Sequence, residues 1–131
     1  MAKSTLPKQI GNLGEKIAAN YFLALGCKIL EMNFENKFGY RVGELDLVAR
    51  DTKNNEIIFA EVKTRIKGTS HSESPELAIS RTKYRKLSKI ISAYLRKNNL
   101  LDCDYRLDAI AIELDMKTRK ASLKHLRCIY Y

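Results

Sequence analysis

Two short blocks of this chain hold the residue types that phosphodiester chemistry needs. One is Gly43-Glu44-Leu45-Asp46-Leu47; the other is Phe59-Ala60-Glu61-Val62-Lys63-Thr64-Arg65. Asp46 and Glu61 are carboxylates, hard oxygen ligands of the kind that Mg²⁺ takes one or two of from a protein while keeping positions for water and substrate phosphate. Lys63 follows Glu61 by two residues, so in a strand its ammonium shares the face of that carboxylate. An acid pair, a lysine and one divalent ion are the minimum equipment for activating water against a phosphate ester. A Glu-x-Lys step alone is common on a solvated strand, where charge pairs contribute little. What raises it here is Asp46 at hairpin distance. Glu15, early in a helical segment, can complete the shell if that helix lies against the hairpin. Its bland explanation is a capping box with Asn12 and a favourable charge near the helix start.

These residues must be positioned by a hairpin. Glu44 to Arg50 and Glu56 to Arg65 both carry period-two character, and Asp51-Thr52-Lys53-Asn54-Asn55 between them is a turn signal. A turn centred on Lys53-Asn54 pairs residues whose numbers sum to 107, so Asp46 faces Glu61. A turn at Asn54-Asn55 gives 109, and Asp46 faces Lys63. Either register predicts Glu44, Asp46, Glu61 and Lys63 on one face and Leu45, Leu47, Ala60 and Val62 on the other. A first helix with an apolar stripe through Ile10, Leu13, Gly14, Ile17, Ala18, Tyr21 and Leu25 ends near Gly26. In that helix Glu15 lies on the flank beside Ala18 and Phe22. A strand over Cys27 to Asn33 follows, then a polar loop with Gly39 and Gly43. After the hairpin, Ser74 is expected to cap a second helix that Pro75 opens, with Leu77, Tyr84, Leu87, Ile91 and Tyr94 or Leu95 as its stripe, fading at Asn98-Asn99. Tyr105 to Glu113 and Ser122 to Ile129 complete the chain as strands around a basic turn. The order α-β-β-β-α-β-β predicts an α/β fold with a mixed sheet flanked by helices, the strand–helix–strand unit supplying a parallel pair.

Length and charge narrow the partners. The 131 residues suit one domain over 1–131, and no unbroken apolar run approaches a membrane span. With no export signal at the N-terminus, the expected compartment is the cytoplasm. Lys and Arg number 24 against 15 acids, a formal charge of +9, and that excess suits a polyanion. Arg81, Lys83, Arg85, Lys86, Lys89, Arg96 and Lys97 crowd the second helix without one acid. That helix has few of the bulky anchors of a membrane-surface helix, so nucleic acid, DNA foremost, is the expected partner and a membrane is not. Arg65, Lys67, Lys83 and Lys86 are the candidate backbone contacts. Cys27, Cys103 and Cys128 are scattered and odd in number, and His125-x-x-Cys128 lacks the partners of a closed zinc site. Arg106 and Asp108 read as a structural ion pair, and His71 as an incidental loop histidine.

Taken together, Gly14-Glu15 with Ala18, Asn33, the Gly-Glu-Leu-Asp-Leu and Glu-Val-Lys-Thr-Arg blocks, and Arg106-Leu107-Asp108 resemble the YraN-type family of small bacterial proteins. That family is similar to the restriction-endonuclase-like (PD-(D/E)xK) nucleases. The resemblance implies a metal-dependent endonuclease-like domain with Asp46 and Glu61 as metal ligands, Lys63 as the catalytic lysine and Glu15 as a helical acid at the site. Mg²⁺, with Mn²⁺ as a substitute, is the implied cofactor. Phe34-Glu35 stands where a basic residue is usual, and Ala60 and Ala109 stand where larger apolar residues are common. Cutting both strands of a duplex would favour a homodimer. The rival expectation is a non-catalytic nucleic-acid-binding or adaptor module on the same fold.

Overall fold

The structure is a computed structural model, and it describes residues 5–35, 43–68 and 79–129. Seven elements follow in the expected order: α1 (Leu6–Ala24), β1 (Cys27–Glu35), β2 (Glu44–Asp51), β3 (Glu56–Ile66), α2 (Arg81–Lys97), β4 (Asp104–Asp115) and β5 (Lys120–Leu126). The strands form one sheet in the order β1-β2-β3-β4-β5. Only β3 and β4 run parallel, from Glu56↔Asp104 to Ile66↔Leu114, because α2 carries the chain back across the sheet between them. The fold is α/β with a mixed sheet and a helix on each face.

Two turns repeat one device. Asp51 Oδ1 accepts from the backbone N–H groups of Lys53 and Asn54, and Asn55 closes the turn at φ 52°. Asp115 does the same for Lys117 and Thr118, and Arg119 closes at φ 56°. An Asp that satisfies the next free N–H groups makes a tight loop cheap to form. The first turn fixes the β2–β3 register at a sum of 107, observed from Asp51↔Glu56 to Leu47↔Ala60.

Each face of the sheet has its own core. On one, Ala18 and Phe22 of α1 meet Leu47, Ala49, Ile58, Ala60, Ile110 and Ile112. On the other, Leu87, Ile90, Ile91, Tyr94 and Leu95 of α2 meet Leu45, Val48, Ile57, Phe59 and Leu107. Small residues let α1 sit low: a Cβ on Gly14 would lie 1.7 Å from Thr64 Oγ1. Of the expected stripe of α1, Ile10, Gly14, Ile17, Ala18 and Tyr21 do face the sheet, and the buried line is shifted toward Phe22. Gly14, Ala18 and Phe22 are its buried residues, while Leu13 and Leu25 are exposed. The flank that bears Glu15 is the one nearest the sheet. The helix begins at Leu6 with Thr5 as N-cap, so Glu15 stands in the third turn and Asn12 caps nothing.

The second helix also starts later than expected. Ile79 and Ser80 are not helical, and the Ser80 hydroxyl accepts from Lys83 N–H at 3.1 Å, making Ser80 the N-cap of α2. Ser74, Pro75, Leu77, His71 and Gly39 lie outside the described residues. Among the described residues, no helix is long and apolar enough to cross a membrane.

Candidate active site

The expected one-face arrangement of the hairpin breaks at Asp46. Residues two apart on a regular strand share a face, yet Leu45 packs with α2 and Leu47 with α1. On β1, Phe34 and Met32 divide the same way about Asn33, whose φ is 55°. Both strands change phase at this point, and paired register between β2 and β3 ends at Leu47↔Ala60. The Asp46 side chain fills the gap so opened: its Oδ2 accepts from Val62 N–H at 2.8 Å, where a strand carbonyl would otherwise serve. Leu47, Ala60 and Val62 do share the α1 face as expected, and Leu45 does not.

The phase change brings Asp46 to α1. Carboxylate oxygens of Glu15, Glu44 and Asp46 all lie within 4.8 Å of one another. The side chains of Asn33 and Asp46 favour the charged form of Glu15. Glu44 sits at the exposed lip of the notch. Its part could have been read from the Glu-x-Asp spacing only by someone who knew that α1 would meet this end of β2. Asn33 has no sequence signal beyond its place in the resemblance; its left-handed backbone, which Asn tolerates better than most residues, is what turns its strand.

Crowded acids in a half-buried notch resist joint ionisation. Burial, with the charge of Glu61 next, pushes Asp46 up to about 8, against the pull of the Val62 N–H. Burial also raises Glu15, with Glu44 adding to the effect and Asn33 opposing it. Without a cation the notch therefore keeps a proton at neutral pH.

Glu61 and Lys63 stand on the other side of β3. Alternation along β3 is unbroken, so both share the α2 face with Phe59. Glu61 pairs with Lys83 Nζ of α2 at 2.7 Å. Its charge still reaches Asp46 and Glu15. Lys63 is exposed. The structure thus joins Asp46 to Glu15 and adds Glu44, holds Glu61 within electrostatic reach, and leaves Lys63 exposed on the α2 face of β3.

Residues 14–112 match the profile of a family described as Uncharacterised protein family UPF0102. The chain belongs to the UPF0102 family. A UPF0102 protein of Geobacter metallireducens is 43% identical over 105 residues, covering 80% of each chain. Another from Trichlorobacter lovleyi is 41% identical over 105 residues, 80% of this chain and 77% of that one. A third, from Clostridioides difficile, is 41% identical over 109 residues, 82% of this chain and 87% of its own. The matched span of the UPF0102 profile includes Glu15, Asn33, Glu44, Asp46, Glu61 and Lys63, so every group of the notch lies inside it.

The cations expected to meet nucleic acid are differently placed. Arg65 lies 3.7 Å from Glu113, Lys67 lies 3.8 Å from Asp115, and Lys83 holds Glu61. Lys86 is exposed on α2. A second polar group centres on Asp108 of β4. Buried Asp108 accepts from Arg106 Nε, from Cys128 N–H and from His125 Nε2, while Arg106 Nη1 reaches Glu56 at 2.6 Å. With Nε2–H donated to Asp108, His125 Nδ1 is left to accept from the Tyr21 hydroxyl at 2.9 Å. Arg106 and Asp108 form the expected pair, and His125 ties α1 to β5 rather than to a metal.

Proposed function

We propose that this UPF0102 protein is a metal-dependent, endonuclease-like phosphodiester hydrolase that binds nucleic acid, DNA foremost. The observation that carries the reading is the packing of three carboxylates within 4.8 Å in a half-buried notch. Such a group is costly unless a proton or a cation divides its charge. Its donor set, all carboxylate oxygen, fits Mg²⁺ or Mn²⁺. Asp46 with Glu15 and Glu44 would hold the ion, with Glu61 drawn in if it leaves Lys83. Such an ion supplies Lewis-acid stabilisation of charge on phosphoryl oxygens. Val62 N–H fixes the Asp46 carboxylate before any ligand arrives, and Asn33 favours the charged form of Glu15. Lys63, exposed on β3, would orient water or offset developing negative charge.

One observation favours a second reading, a non-catalytic nucleic-acid-binding module. Lys83 already neutralises Glu61 at 2.7 Å. The test is a Mg²⁺ and Mn²⁺ titration followed by cleavage assays on duplex, single-stranded and junction DNA. Metal affinity and cutting that both disappear in Asp46→Asn, with DNA binding retained, support hydrolysis. Binding that persists without any metal-dependent turnover selects the second reading.

A further inference from the structure

Away from the acidic notch, a cavity of about 230 Å³ opens between α2 and the near ends of β4 and β5. Tyr84, Ser88 and Ile91 wall it from α2, Tyr105 and Leu107 from β4, and Ile129 from the segment after β5. Arg106 also borders it, but its guanidinium is bound to Asp108 and Glu56. That charge is spent inside the protein, so the cavity suits a flat, neutral group better than an anion. The Tyr105 ring is half exposed and braced edge-on by Phe59 at 5.9 Å, which leaves ring surface for stacking.

What surrounds the cavity indicates what the flat group is attached to. At 100° per residue, Arg81, Arg85, Lys89 and Arg96 follow the flank of α2 beside Tyr84 and Ser88, and all four are exposed. Lys83 and Lys86 follow the other flank, toward Glu61. An aromatic recess bordered by a strip of cations is the arrangement that holds a single strand: phosphates along the charge, a base on the ring. The recess is also near Glu61. Glu61 is in register with Ala109, so strand spacing puts the Cα of Leu107 about 8 Å from that of Glu61, a span of one or two nucleotides.

We propose that this cavity receives one unpaired base of a single-stranded or frayed nucleic acid, stacked on Tyr105 and Tyr84, with the flanking phosphates on Arg81 and Arg85. This rests on the reading that the protein binds nucleic acid, and it adds where and in what form. It makes unpaired nucleic acid the preferred ligand over an intact duplex.

The experiment measures equilibrium binding of a fluorescent single-stranded DNA 12-mer, and of the same oligomer with abasic sites, in chelator so that cleavage plays no part. Tyr105→Leu should weaken binding of the intact oligomer about tenfold, in keeping with the loss of one stacked base, while Tyr105→Phe keeps it. Leu23→Ala, exposed on α1, serves as the control. Against the abasic oligomer, wild type and Tyr105→Leu should bind alike, because the partner of the ring is already gone. Equal losses on both oligomers, or no loss in Tyr105→Leu, would overturn the base pocket while leaving nucleic-acid binding intact. Absence of binding by the wild type would overturn both readings. Base-dependent binding without cleavage in a parallel Mg²⁺ assay would retain the pocket and reject hydrolysis.

Discussion

Asp46 is a half-buried carboxylate and Asp108 a buried one, and their surroundings drive them in opposite directions. Asp108 sits among an arginine, a histidine and a backbone N–H, and those donors hold it below the usual carboxylate range despite its burial. Asp46 has one N–H and three neighbouring acids, and is pushed up to about 8. The consequences for stability have opposite signs. A raised folded pKa means the native state holds a proton that the unfolded chain has released. The stability linked to Asp46 is therefore fully present below about pH 4 and is lost as pH rises toward 8. Thermal unfolding in chelator should show that decline in the wild type and a flatter profile in Asp46→Asn, whose amide oxygen can still accept from Val62. Adding Mg²⁺ near pH 8 should raise the wild-type Tm and leave the variant unmoved, since the ion replaces the proton. Asp108 acts the other way: its contribution is present at neutral pH and lost as acid protonates it. Asp108→Asn leaves Arg106 with only Glu56 and should cost roughly 3–5 kcal/mol, the scale of breaking a buried pair, in urea unfolding at pH 7.

At the scale of elements, the notch exists because α1 lies low on the sheet and because two strands change phase together. Gly14→Ala tests the first cause. Its Cβ would overlap Thr64, so α1 must lift, with a loss of roughly 1–3 kcal/mol from overpacking. Glu15, the next residue, moves with it. Mg²⁺ affinity by calorimetry should fall in the variant, and Thr64→Ala should restore part of both. The element order was legible in the sequence, and the β2–β3 register was narrowed to two choices, since Asp51 to Asn55 contains the residues that close such a turn; the observed pairing selects the sum of 107. Asp46 and Glu15 were legible as acids worth watching. The phase change was not. Glu44-Leu45-Asp46-Leu47 alternates without fault, and only the backbone of Asn33 and the end of the β2–β3 pairing reveal that Leu45 and Leu47 face opposite cores. Most of the α1 stripe was legible, and only its shift toward Phe22 and away from Leu13 was hidden. Gly14 and Ala18 are buried for closeness rather than bulk, while larger residues such as Leu13 remain outside. The later start of α2 follows from Ser80, whose hydroxyl caps Lys83 N–H.

For the whole molecule, the acid notch and the basic helix impose different dependences on salt. The formal charge of +9 is a long-range attraction for a polyanion, screened over a Debye length of about 8 Å at physiological ionic strength. Its local part is set by which cations are already matched. Arg65, Lys67 and Lys83 have acids within 4 Å, so a phosphate must compete for them. Lys86 and Arg85 stand exposed on α2 with no acid on that helix. Binding to single-stranded DNA should therefore weaken linearly on a plot of log affinity against log salt, each phosphate contact contributing about 0.7 to the slope. Lys86→Ala and Arg85→Ala should each reduce the slope by about that amount. Lys67→Ala should change it less, because Asp115 is released when its partner goes. If all three variants give the wild-type slope, α2 is not the face that meets the phosphates. The charge excess would then act only as a diffuse field, and the notch would have to find its substrate from the β1 side of the sheet.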